Sequence, residues 1–257
     1  RGSETHFKVN QDDGSIFTTG TLDRELERKY IFSLRIEDGG TPSLSSDVTV
    51  NIIITDVNDN APVFNRPFYS TTIFENQTTG INFLSAGASD DDLGINAVIA
   101  YELDTTSEEA LRSNLYFGVH SRTGNIFLRR KVDREVYPYF TLTVIARDSG
   151  MPSLSSEVKV NIQIEDVNDN PPVFSPLFYN TEASSINLCD PVITTVRATD
   201  ADIGRNAAIN YYINENDDKP PFTVSNFGNC LTRLMIFKNK VKDHLAFAKE
   251  SLSIVIF

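Results

Sequence analysis

The sequence predicts an all-β protein assembled from tandem β-sandwich repeats. Three observations carry that prediction: a set of short motifs that returns at one fixed offset, segments in which apolar and polar residues alternate, and prolines that close those segments. Asp23-Arg24-Glu25 returns as Asp133-Arg134-Glu135, so the offset is 133 − 23 = 110 residues. At the same offset Asp56-Val57-Asn58-Asp59-Asn60 returns as Asp166-Val167-Asn168-Asp169-Asn170. Pro42-Ser43-Leu44-Ser45-Ser46 returns as Pro152-Ser153-Leu154-Ser155-Ser156, Phe68-Tyr69 as Phe178-Tyr179, and Asp90 and Asp92 as Asp200 and Asp202.

The strand signal is clearest in residues 157–165. There Val158, Val160, Ile162 and Ile164 alternate with polar residues, the period of a half-buried strand. Val48, Val50, Ile52 and Ile54 repeat it one unit earlier. Phe140–Ala146, Ile99–Leu103 and Ile126–Leu128 are further strand candidates, and no long segment carries a helical period. Short strands between Gly-, Pro- and Asn-rich turns fit a sandwich. Each Asp-x-Asn-Asp-Asn run ends a strand and leads into proline, at Ala61-Pro62 and Pro171-Pro172, where no N–H can continue a ladder. Three units follow: residues 1–60 as the later part of a first repeat, 61–170 as a complete second, and 171–257 as a divergent third that stops short of the full pattern.

Composition narrows the function. The 257 residues carry 35 acidic and 23 basic side chains, a formal charge of −12, which opposes nucleic-acid binding and suits a hard cation with oxygen ligands. Cys189 and Cys230 form no Cys-x-x-Cys pair, and no apolar run approaches the ~20 residues of a membrane span. His6, His120 and His244 do not recur at the offset, and neither a His-Glu-x-x-His nor a Gly-x-Ser-x-Gly motif is present. Paired carboxylates could serve a glycosidase. These recur at two places alike, which suits a structural role better than a unique active site, so the chain is not expected to be an enzyme. An EF-hand loop is excluded as well. Starting from Asp56, its sixth and twelfth positions hold Ala61 and Pro67 instead of Gly and Glu.

The set Leu-Asp-Arg-Glu, Asp-x-Asn-Asp-Asn-x-Pro, Asp-x-Asp followed by Gly-x-Asn-Ala, and Ala-Arg-Asp resembles the cadherin repeat, over essentially the whole chain. The resemblance implies seven-stranded Greek-key sandwiches joined end to end. It also implies about three calcium ions at each junction, each taking several oxygen ligands. It assigns Asp23, Glu25, Asp56, Asn58, Asp59, Asn60, Asp90, Asp92, Asn96 and Asp148 to the first junction. The second receives Glu75, Asp133, Glu135, Asp166, Asn168, Asp169, Asn170, Asp200, Asp202 and Asn206, and Val57 and Val167 could contribute only carbonyls. It further implies an extracellular, membrane-anchored cell-adhesion receptor whose partner is another cadherin ectodomain on an apposed cell. A non-adhesive spacer, or a docking segment for a different ligand, is the alternative.

Calcium is the cation this donor set suits. Each junction gathers seven carboxylates. Two of them about 5 Å apart repel by roughly 3 kcal/mol at an effective dielectric near 20. Calcium accepts irregular oxygen cages that magnesium and zinc do not. The third repeat departs from the pattern. Ser185 stands where Glu75 has its counterpart, and Asp243-His244-Leu245 replaces Asp-Arg-Glu, so a junction beyond residue 257 is expected to bind calcium weakly or not at all. In an oxidising setting Cys189 and Cys230 are candidates for a disulfide, with two buried thiols as the alternative. Tryptophan is absent, which separates the chain from cadherin tips that anchor a swapped strand with Trp and favours a protocadherin-like or giant-cadherin-like origin. Asn76-Gln77-Thr78 is a glycosylation sequon.

Overall fold

The computed structural model describes residues 6–180, 192–212, 222–226 and 233–238. Cys189, Cys230, Ser185 and the 243–245 segment lie outside them. The chain divides into two compact units. The first comprises Arg1–Thr71, Thr78–Lys131 and Phe140–Ile162; the second comprises Thr72–Gln77, Val132–Tyr139 and Gln163–Phe257.

In the first unit, β1 (Phe7–Val9) and β2 (Ile16–Thr18) form a hairpin, and β3 (Lys29–Glu37) pairs antiparallel with β4 (Ser45–Ile53). The sandwich that follows begins at β5 (Val63–Phe64) and β6 (Tyr69–Phe74), two short strands separated by residues 65–68. It continues through β7 (Asn82–Ser85) and β8 (Ala88–Ser89), β9 (Ala100–Leu103), α1 (Glu108–Tyr116), β10 (Phe117–Val119), β11 (Asn125–Leu128), β12 (Tyr139–Arg147) and β13 (Ser155–Glu165). Its sheets have the orders β10-β11-β7 and β6-β13-β12-β9, with β5 paired to β8. The two faces of a β-sandwich are thereby present. The strands foreseen from alternation are all there, each within three residues of its expected start.

The core sits where the alternation put it. Phe140, Leu142, Val144 and Ala146 of β12 are buried, as are Val158, Val160 and Ile162 of β13. Phe117, Ile126 and Leu128 fill the opposite side and are fully buried. The short helix α1 is an addition that hydropathy alone did not flag. Ser107 caps it by accepting the Ala110 N–H at 3.0 Å, and Glu108 and Glu109 complement the helix dipole in the first turn. Only Ala110 and Ser113 of the helix are buried, so its apolar stripe is too narrow to read as a period.

Gly124 shows how tightly the turn before β11 is built. Its φ is +67°, and an added Cβ would lie 2.5 Å from the Ala86 carbonyl oxygen. Its counterpart Gly14 has φ +73° but open space around it. Gly124→Ala is therefore expected to cost about 3 kcal/mol, strain plus a clash with backbone, against about 1 kcal/mol for Gly14→Ala, strain alone. Denaturant melts of the two variants check this.

In the second unit, β14 (Val173–Phe174) pairs antiparallel with β15 (Val192–Thr199), and the sheet continues through β17 (Arg233–Lys238) to β16 (Phe222–Asn226). A small core of Val196, Ala198 and Tyr211 is packed by Phe174, Tyr179 and Ile209. The repeat offset survives in its details. Ala88 N–H donates to the Tyr101 hydroxyl at 2.8 Å, and Ala198 N–H donates to the Tyr211 hydroxyl at 3.1 Å.

Candidate metal centre

Two acidic clusters form, one in each unit, and each mixes residues from both sides of a sequence-repeat border. In the first, Glu25, Asp56 and Asp92 bring carboxylate oxygens within 4.8 Å of one another. Asp56 opens the Asp-x-Asn-Asp-Asn run. Its Oδ2 accepts the Leu93 N–H at 3.1 Å and Asn96 Nδ2 at 2.8 Å. Asn60 donates through its backbone N–H to Asp92 Oδ2 at 3.3 Å, and through Nδ2 to Asp92 Oδ1 and Asp59 Oδ1, both at 2.8 Å. Asp92 N–H in turn donates to Asp90 Oδ1 at 3.0 Å. Asn58 Nδ2 donates to Asp148 Oδ2 at 3.1 Å and to the Pro152 carbonyl at 2.6 Å. Asp23 caps its own turn, accepting the Leu26 N–H at 3.0 Å, and stays exposed.

The second cluster repeats this wiring. Asp166 Oδ2 accepts the Ile203 N–H at 3.2 Å and Asn206 Nδ2 at 2.8 Å. Asn170 Nδ2 donates to Asp169 Oδ1 at 2.8 Å and Asp202 Oδ1 at 2.9 Å, while Asp202 N–H donates to Asp200 Oδ1 at 3.0 Å. Asp133 accepts the Val136 N–H at 3.2 Å, and Asn168 is exposed. Glu75 is 4 % exposed, and its two oxygens accept the Val167 N–H at 2.7 Å and the Arg134 N–H at 2.9 Å. Two carboxylate triads result, Glu75–Glu135–Asp166 and Glu135–Asp169–Asp202, each within 4.8 Å and sharing Glu135. Val167, expected to offer a carbonyl only, thus also holds Glu75 through its N–H.

Sequence reasoning missed the arginine inside each cluster. Arg24 is 4 % exposed and ion-pairs with Glu25 and, at 2.6 Å, with Asp56 Oδ1. That Nε and Oδ1 are close enough for an ion pair, yet both lack hydrogen-bond alignment. Arg134 ion-pairs with Glu135, and its Nε lies 2.5 Å from Asp166 Oδ1. The signal was available, since Asp-Arg-Glu recurs whole and not only as its two acids.

Electrostatically the clusters are strained. Desolvation, then the charges of Asp92, Asp148 and Asp91, push Asp90 above the usual carboxylate range against a hydrogen bond from Asp92. Desolvation likewise raises Asp169, reinforced by Glu75, Asp202, Asp133 and Asp166. It raises Glu135 too, with Glu75 adding to the effect. Elsewhere desolvation is outweighed. Leu93, Asn96 and Arg24 hold Asp56 low, Leu154, Asn58 and Gly150 hold Asp148 low, and Ile203, Asn206 and Arg134 hold Asp166 low.

The donor set fits a calcium-sized cation. Glu25 Oε1, Asp56 Oδ1, Asn58 Oδ1, Asp90 Oδ2 and Asp202 Oδ2 are buried acceptors without a hydrogen-bond donor. Of these, Glu25 Oε1 and Asp56 Oδ1 already face Arg24, while Asn58 Oδ1, Asp90 Oδ2 and Asp202 Oδ2 are orphans that a cation would satisfy. Two oxygens bound to one calcium are separated by at most about 5 Å, which the triads meet.

The cadherin domain model matches residues 1–55 and 69–165. The chain belongs to the cadherin family. It is 39 % identical over 226 residues to the Drosophila melanogaster "Protocadherin-like wing polarity protein stan", covering 87 % of this chain and 6 % of that protein. It is 38 % identical over 211 residues to mouse "Protocadherin Fat 4", covering 82 % of this chain and 4 % of that protein. Among solved structures it superposes on the "Protocadherin gammaB7 EC3-6 cis-dimer structure" with a TM-score of 0.76 at 29 % identity, over 93 % of this chain and 57 % of that one. The chain therefore spans a small part of the relatives it matches. Cadherin-family chains of this kind are extracellular β-sandwich modules of cell-surface adhesion proteins, not enzymes. No helix among the described residues is long and apolar enough to cross a membrane.

Proposed function

We propose that this cadherin chain is part of a calcium-dependent cell–cell adhesion receptor, in which each acidic cluster holds calcium, about three ions by resemblance to the cadherin repeat, and stiffens the border between neighbouring repeats. The observation that carries this reading is the pair of matched clusters, each tying residues of two successive repeats to one set of oxygens. Bound calcium would supply the positive charge that cancels carboxylate repulsion. The chain's own residues do the rest. Asn60 and Asn170 hold Asp92 and Asp202, Asn96 and Asn206 hold Asp56 and Asp166, and the Asp90 and Asp200 oxygens are fixed by the N–H two residues on. Because these donors come from both sides of a border, a shared cation opposes bending there. Extracellular modules bind calcium with Kd near 10⁻⁴–10⁻³ M, so occupancy would follow the calcium outside the cell.

Partner recognition would be by another cadherin ectodomain on an apposed cell, with the full-length protein anchored in the plasma membrane. The spacer reading has its own support. The match covers only 6 % of stan and 4 % of Fat 4, relatives long enough to hold segments that only separate others. Beads coated with the chain test the choice. Calcium-dependent clumping that chelator reverses is the adhesive result; dispersed beads at every calcium level return the chain to a spacer. Melts of the chain accompany this assay, and millimolar calcium is expected to raise the midpoint by several degrees over chelator.

A further inference from the structure

Each cluster contains a cation of its own, buried in the case of Arg24 and partly buried in the case of Arg134. Arg24 spans the first cluster from Asp56 and Glu25 to the Asp91 carbonyl, which its Nη2 meets at 2.7 Å. Arg134 spans the second in the same way, from Asp166 and Glu135 to the Ala201 carbonyl at 3.0 Å. The partners correspond one to one at the repeat offset, in two separate units, so the placement belongs to the motif. Arg24 Nη1 and Nε are buried without a hydrogen-bond partner. Arg24 is therefore held by charge more than by hydrogen-bond fit, whereas Arg134 adds hydrogen bonds from Nε to Asp166 and from Nη2 to Glu135. The carboxylates Arg24 faces, Glu25 and Asp56, are two of the three in the Glu25–Asp56–Asp92 triad, and Arg134 faces Glu135 and Asp166 of Glu75–Glu135–Asp166.

We infer that Arg24 and Arg134 are resident counter-cations, which hold the clusters together without calcium and compete with calcium for Glu25 and Asp56, and for Glu135 and Asp166. The competition rests on the calcium reading above; the counter-charge role does not. The arginines then set affinity: they preserve ligand geometry at low calcium and weaken binding, keeping the sites responsive at high extracellular concentrations. They are positioning residues, acting through the carboxylates they face.

The test is calorimetric titration of the full chain with calcium, paired with melts in chelator, for wild type, the double variant Arg24→Met and Arg134→Met, and the double variant with Lys at both positions. Methionine keeps the apolar stem and removes the charge. The Met variant is expected to melt earlier in chelator and to bind calcium about tenfold more tightly, since a positive charge a few ångströms from the ion is gone. Lysine keeps the charge without the planar fork, so its affinity stays near wild type while its chelated melt falls partway. Calcium binding that is unchanged or weaker in the Met variant overturns the competition, because an arginine that merely braced the ligands would give that result. An unchanged melt in chelator overturns the counter-charge role. Should the double Met variant not fold, Arg134→Gln alone carries the test: only half of the calcium sites must then tighten. A wild-type chain that takes up no calcium overturns the calcium reading and the competition together, and the chelated melts still decide the counter-charge role.

Discussion

Phe117→Ala is expected to lower the stability of the complete repeat by about 3–5 kcal/mol, the range for removing a large aromatic from a core that cannot collapse around the hole. Phe117 is fully buried at the point where α1 ends and β10 begins. Its ring packs edge-on against Phe140 at 5.0 Å and Phe83 at 6.0 Å between centroids, so it links strands on both sides of the sandwich. Its backbone N–H also donates to the Ser113 carbonyl and closes the helix. That bond survives the substitution, which isolates the packing loss. Leu115→Ala is the control. It lies two residues away with a half-exposed side chain, and its loss is expected to stay within about 0.5 kcal/mol. Urea unfolding followed by far-ultraviolet circular dichroism reads both; equal midpoints for the two variants would show that the core does not run through Phe117.

The second large effect is expected at Glu75. This carboxylate is buried yet accepts two backbone N–H groups, from Arg134 and Val167, tying three distant stretches of chain together. Its own N–H donates to the Glu165 carbonyl at 3.1 Å. Glu75→Ala strands two partly buried donors, each in a charge-assisted bond, and is expected to cost about 3 kcal/mol in chelator. Glu75→Gln keeps the shape and one acceptor, so it loses roughly half as much. In calcium the order changes. Both variants lack the carboxylate that the Glu75–Glu135–Asp166 triad needs, so both lose calcium stabilisation of the second unit. Melts in chelator and in calcium separate these contributions, and a Gln variant that gains from calcium as much as wild type would remove Glu75 from the ligand set.

Much of this was legible in the sequence because a period-two pattern buries one face of a strand and a repeated unit must reuse its contacts. Val158, Val160 and Ile162 alternate in sequence and are buried in fact. Asp56 and Asp166 could be paired with Asn96 and Asn206 from spacing plus family resemblance, and the hydrogen bonds follow. What escaped was of two kinds. The helix α1 is capped by a single serine and buries only Ala110 and Ser113, so it depends on local capping that a hydrophobic period cannot report. Arg24 and Arg134 stand between two acids, where no pattern in the sequence marks them as facing inward. Only the fold turns a residue flanked by Asp and Glu inward, where its charge meets carboxylates from elsewhere in the chain. Asp23, Asp133 and Asn168, grouped with the other donors by motif alone, remain at the exposed edge.

Calcium uptake by the intact chain, measured by equilibrium dialysis in wild type, Asp56→Ala and Asp166→Ala, tests the central claim most directly. The account predicts several ions per wild-type chain, with each substitution removing the uptake of its own cluster and leaving the other's. Undiminished uptake in both variants, or none in the wild type, would contradict it.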